Sequence, residues 1–122
     1  MSPDELLSRF ILKKRDIRAN GTLRADGFIP FPHSDLSVTR HKGISTGKLW
    51  SLGKDVARAR KLTLQGRGDL TVKVALDNAL NPQLSEPPEN HVNLTGWPEA
   101  KEHQKLIAIE LAKNATFIRY VE

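Results

Sequence analysis

The chain contains no cysteine, which removes disulfides, thiolate zinc sites and cysteine nucleophiles together and suits a reducing compartment. Aromatic residues are sparse, with four Phe, two Trp and one Tyr among 122 residues, so the basic-aromatic interleaving used for stacking single-stranded bases is missing. No apolar run is long enough to span a bilayer, and the opening MSPDELL is acidic where a secretory leader needs a basic and then an apolar segment. These absences predict a cytoplasmic protein with no membrane partner. The sequons at Asn20, Asn93 and Asn114 then carry no meaning.

What is present is a basic, single-domain chain. A length of 122 residues with 39% apolar and 27% charged content is the size of one domain, here taken as residues 1–122, with no repeat, low-complexity tract or linker. Its net charge of +5 is unevenly spread. Residues 1–67 hold fourteen Lys/Arg against six Asp/Glu, net +8, whereas residues 68–122 hold five against eight, net −3. The basic half is the expected partner-facing half, favouring a polyanion such as nucleic acid or an acidic protein partner.

The pattern along the chain predicts an α+β fold, a mostly antiparallel sheet packed with two to three helices. Ser2, Pro3 and Glu5 have the spacing of a capped helix start, followed by Leu6, Leu7, Phe10 and Ile11 at helical intervals. The FIPFP segment at 28–32 reads as extended, and LSVT at 36–39 alternates like a strand with Leu36 and Val38 inward. A helix follows STGK and runs to about residue 60, with Leu49, Leu52, Gly53 and Val56 inward and Lys54, Arg58 and Lys61 outward. Residues 62–64 and 70–76 read as strands joined by a turn in QGRGD. Residues 77–90, with three prolines, read as the longest loop, HVNLT at 91–95 as a strand, and Pro98 as the start of a helix to about Asn114. Residues 117–121 read as a last strand.

The chemical candidates are few. GISTGK at 43–48 is one residue short of the phosphate-loop spacing GxxxxGK(S/T) and has Leu49 where a magnesium-binding hydroxyl belongs, so it is not a P-loop. What remains is an anion-attracting cluster: Ser45 or Thr46 as helix cap with Arg40, His41, Lys42 and Lys48 nearby, extended by Lys54, Arg58 and Lys61. The alternative is an ordinary capped helix with solvated lysines. His91 and Asn93 share one face of a strand and are the catalytic candidates, the alternative being a structural hydrogen bond at a strand entrance. His33, Asp35 and His41 are too scattered to predict a metal, and no cofactor is expected.

FIPFP followed by DLSVTR, a central GRGDL and a late HVNLTGWP resemble a widespread group of small bacterial proteins without an assigned activity. The resemblance runs from about Phe28 to Ala115 and implies a bacterial cytosolic protein; it assigns a role to no residue. The leading expectation is therefore a non-enzymatic binding or accessory domain contacting an anionic partner, in the first place nucleic acid through backbone contacts. A protein interaction module, such as an accessory or immunity-type subunit, is the alternative, and a small hydrolase or transferase using His91 the third reading.

Overall fold

A computed structural model describes residues 1–30 and 32–122. The apolar cluster near the N-terminus is not a helix but strand β1 (Leu6–Ile11). Leu7 and Ile11 enter the main core on one face while Phe10, followed by Leu12, packs under a helix on the other. A strand buried on both faces loses the alternation that identifies a one-sided strand, and its apolar residues then mimic helical spacing. The predicted cap is only a turn, in which the Glu5 amide donates to the Ser2 carbonyl at 3.1 Å.

The remaining strands are β2 (Leu36–Arg40), β3 (Gly66–Thr71), β4 (Asn81–Leu84), β5 (His91–Thr95) and β6 (Thr116–Arg119). They form one six-stranded sheet in the order β4-β5-β2-β1-β3-β6, with every neighbouring pair antiparallel. The main helices are α1 (Thr46–Ala59) and α3 (Lys101–Asn114); α2 (Val72–Asp77) is one short stretch between them. Single 3-10 turns cover Lys14–Asp16 and Ala25–Phe28. The domain is α+β, as its composition and periodicity predict.

The segment QGRGD supplies no turn. Gly66 and Gly68 lie inside β3, between β1 and β6, and a Cβ on Gly68 would stand 2.7 Å from the Leu23 side chain and 3.0 Å from the Phe28 ring. Glycine here admits close packing rather than a bend. Residues 62–64 are irregular, and the run expected as a strand to residue 76 stops at Thr71, whose hydroxyl accepts from the Val74 amide to cap α2. The expected loop over 77–90 contains β4. Pro82 is compatible with that strand because β4 is a sheet edge, where a missing N–H costs no internal ladder bond. Phe28 closes a 3-10 turn instead of opening an extended run, and Phe31 lies outside the described residues.

α3 begins at Lys101 rather than at Pro98, with Ala100 as its first flanking residue. Half-buried Trp97 packs against the main core and donates its indole N–H to the Leu94 carbonyl at 3.0 Å. β2, β5, β6 and the Ser45-capped α1 lie where periodicity places them.

The two faces of the sheet are covered unequally. On one, α2, α3 and the Ala25–Phe28 turn bury Leu7, Phe28, Leu70, Val92 and Leu111 in the main core. On the other, α1 covers a smaller cluster of Phe10, Leu12, Leu49, Leu52 and Leu64. Gly68→Ala should lower stability by about 1–3 kcal/mol, the cost of overpacking a filled core, and lower Tm by roughly 5–15 °C. A thermal melt checks this, and an unchanged Tm would remove Gly68 from a packed strand.

Candidate functional site

The register fixes which side chains share the α1 face. Ser8 stands opposite Asp69 and Thr39, Phe10 opposite Arg67, Thr39 opposite His91, and Ser37 opposite Asn93. The face therefore carries a polar row from β3 to β5. α1 lies over its β1–β3 end, and a cleft of about 380 Å³ opens between the helix and the other end, lined in part by Ser37, Thr39, Leu52, Val56 and His91.

Under α1 lies a buried network that residue order does not reveal. The Ser8 hydroxyl donates to Asp69 Oδ1 at 2.5 Å, so it receives its second hydrogen bond, at 2.6 Å, from His41 Nε2–H. Arg67 Nε donates to both Asp69 oxygens at 3.1 and 3.2 Å, and its guanidinium lies 4.5 Å from the centre of the Trp50 ring. Trp50 in turn meets Tyr120, ring centres 5.0 Å apart. Burial pushes the Asp69 carboxyl up, but hydrogen bonds from His41 and Ser8 and the charge of Arg67 outweigh it and hold the group below the usual carboxylate range.

Serine, histidine and aspartate in contact invite a hydrolase reading, which the geometry opposes. In a relay the acid orients the far side of the ring; here Asp69 lies 3.6 Å from Nε2, the nitrogen that also meets Ser8. Ser8 is 0% exposed, leaving no approach for a substrate. The network is a structural clamp across β1, β3 and the end of β2.

The predicted anion cluster is divided. Arg40 is turned inward, its Nε donating to Glu5 at 2.6 Å. That hydrogen bond holds the Glu5 carboxyl below the usual carboxylate range, against a smaller opposing effect of burial. His41 belongs to the clamp. Ser45 caps α1 by accepting from the Lys48 amide at 3.1 Å, and exposed Thr46 and Lys42 flank that start. Lys48 approaches Glu89 at 4.0 Å, Lys54 approaches Glu122 at 3.9 Å and Arg58 meets Asp55 at 3.1 Å. All six of these side chains are well exposed, and such pairs contribute at most about 1 kcal/mol. Lys61 follows at the helix end with φ 58°.

His91 and Asn93 do share a face, and both are tied to β4's return. His91 Nδ1 lies 2.8 Å from the Ser85 carbonyl; a carbonyl only accepts, so Nδ1 carries the hydrogen and Nε2 is the nitrogen left for the cleft. Asn93 donates to the Ser85 hydroxyl at 3.3 Å. The ring is oriented by a carbonyl rather than a carboxylate.

Arg9 is the second feature that residue order does not reveal. The β1–β2 ladder extends only over Leu7–Arg40 and Ser8–Thr39, and beyond it Arg9 bridges the splay, Nε donating to the Gly27 carbonyl at 2.9 Å and Nη1 to that of Ser37 at 3.0 Å. A lone arginine inside an apolar run is the signal that could have found it. Among the described residues no group of three His or acidic side chains is placed to hold a metal, and no helix is long and apolar enough to cross a membrane. Comparison with known protein families, with curated proteins and with solved structures finds no match.

Because the Asp69 carboxyl is more acidic folded than unfolded, its stabilisation is complete above the unfolded value near ~4 and is lost as pH falls through the lower folded value. Asp69→Asn should flatten that acid limb and, by stranding buried Arg67, cost about 3–5 kcal/mol at neutral pH. Urea unfolding from acid to neutral pH measures both effects; a variant as stable as wild type would dissolve the clamp.

Proposed function

We propose that this protein is a non-enzymatic binding or accessory domain whose α1 side contacts the phosphate backbone of nucleic acid, in the bacterial cytoplasm that its sequence resemblance implies. One observation carries the reading: from Lys42 to Lys61 stand six Lys/Arg against a single acid, Asp55. Lys42, Lys48, Lys54, Arg58, Arg60 and Lys61 are all exposed, on or flanking one helix. The acids that touch Lys48, Lys54 and Arg58 are exposed partners that a phosphate can displace at little cost. Nothing in this array reads base edges, so binding is governed by charge and is insensitive to sequence.

A second reading, a protein interaction module, is favoured by the outer side of α3, where Leu106 and Ile109 are 62% and 43% exposed one turn apart. The two readings use different elements and separate cleanly.

Replacing Lys54, Arg58 and Lys61 together by Glu should weaken binding to unrelated DNA and RNA sequences and reduce the salt slope by about one unit for each phosphate that is no longer neutralised. Folding should be unaffected, since all three side chains are exposed. A salt titration of wild type and variant tests this; undetectable wild-type binding at low salt, or an unchanged slope, would overturn the nucleic-acid reading and favour the α3 surface.

A further inference from the structure

We propose that the cleft between α1 and the uncovered half of the sheet binds a phosphate monoester carrying an apolar or aromatic body, with its dianionic head between Arg9 and Arg60. Nucleoside monophosphates are the representative ligands. The site is distinct from the Lys54, Arg58 and Lys61 array and stands whether or not that array meets nucleic acid.

The head site rests on two arginines with different tethers. Arg9 spends two of its five N–H donors on the Gly27 and Ser37 carbonyls, which fixes the plane of its guanidinium and leaves three donors unused among the described residues. Arg60 follows the last turn of α1 and is exposed; among the described residues no carboxylate forms an ion pair with it. Both arginines line each of three adjoining cavities, so they form the wall common to all three. Burial and then the charge of Arg60 push the Arg9 guanidinium down to about 10, with Asp16 acting the other way. Arg9 thus remains charged at neutral pH in a position that disfavours its charge, a condition that an incoming anion relieves.

The remainder of the cleft is suited to a body rather than to a bare ion. Phe10, Leu12, Leu52 and Val56 supply apolar wall, and about 380 Å³ lies within the range of small-molecule sites. His91 and Thr39 add polar residues to the lining. Asp55 and Glu89 also line this cavity, but each has its own cation, Arg58 and Lys48. Asp16, Asp26 and Asp35 border the two adjoining cavities, so the pull on an anion is concentrated between the two guanidinium groups themselves, whose paired N–H donors match the several oxygens of a phosphate monoester better than a carboxylate.

Calorimetric titration of the full chain with AMP, phenyl phosphate, adenosine and inorganic phosphate tests the assignment. AMP and phenyl phosphate should both bind more tightly than adenosine or phosphate alone. Arg60→Gln should weaken both organic phosphates by roughly tenfold or more, the scale of a charge-assisted hydrogen bond. Substitution of Arg9 endangers the β1–β2 junction, so the second variant is Ala59→Trp, which fills the cleft mouth without changing charge; it should remove AMP binding and spare inorganic phosphate. Absence of AMP binding at millimolar concentration, or unchanged affinity in either variant, would overturn the proposal. Lys54→Glu, which leaves Arg58 on Asp55 and lies outside this cleft, should retain AMP affinity, and an equal weakening there would overturn placement of the head at Arg9 and Arg60. Preference for a 5′-phosphorylated oligonucleotide over AMP would identify a strand end as the source of the phosphate, and the reverse a free nucleotide.

Discussion

The side of the molecule under α1 depends on the pairing of Arg67 with Asp69 on the interior strand β3, where the two side chains are each 9% exposed. Removing two charges from water is costly, and the cost is offset only when the remaining donors and acceptors are satisfied. Ser8 and His41 complete the shell of Asp69; on the guanidinium side the offset is partial, the Trp50 face covering its plane while buried Arg67 Nη1 has no hydrogen-bond partner among the described residues. Each partner comes from a different part of the chain, so satisfying one ion pair aligns β1, the end of β2 and α1 simultaneously. Tyr120 then closes against Trp50, carrying the C-terminal strand into the same arrangement.

That alignment leaves the opposite half of the face uncovered. α1 lies over the charged pair and Phe10, and its last turn ends beside the splay that Arg9 bridges. The polar row of Ser37, Thr39, His91 and Asn93 lines the cavities left there, since among the described residues α1 is the one helix on this face. The exposed cations of α1 and the cleft beneath it are two outcomes of one packing arrangement, the first on the helix's outer side and the second along its flank.

Much of this is legible in residue order. β2 and β5 alternate because only one face of each meets the main core, and Ser45 announces α1 because a side-chain oxygen must meet the first free amides. β1 is hidden by burial on both faces, β3 by the turn-like letters GRGD, and β4 by a proline that only an edge position tolerates. The basic character of α1 and its flanks is equally readable. The inward turn of Arg40 and His41 is not, because their partners lie 35 residues away at Glu5 and 33 residues away at Ser8. Nor is the role of Arg9, which replaces missing ladder bonds, a need visible only once the strand order is known.

The same edge proline has a consequence beyond its own strand. An open sheet offers its outermost backbone to any extended chain, and long flat edges invite accretion. Here one border is a four-residue strand interrupted by Pro82, and the other is the equally short β6, where the Arg119 guanidinium stands 5.6 Å from the centre of the Phe117 ring. Neither border presents a long, uninterrupted template. The sheet is thereby bounded at six strands, and a chain with exposed Leu84 and Ile118 beside its two rims is guarded against polymerising through them.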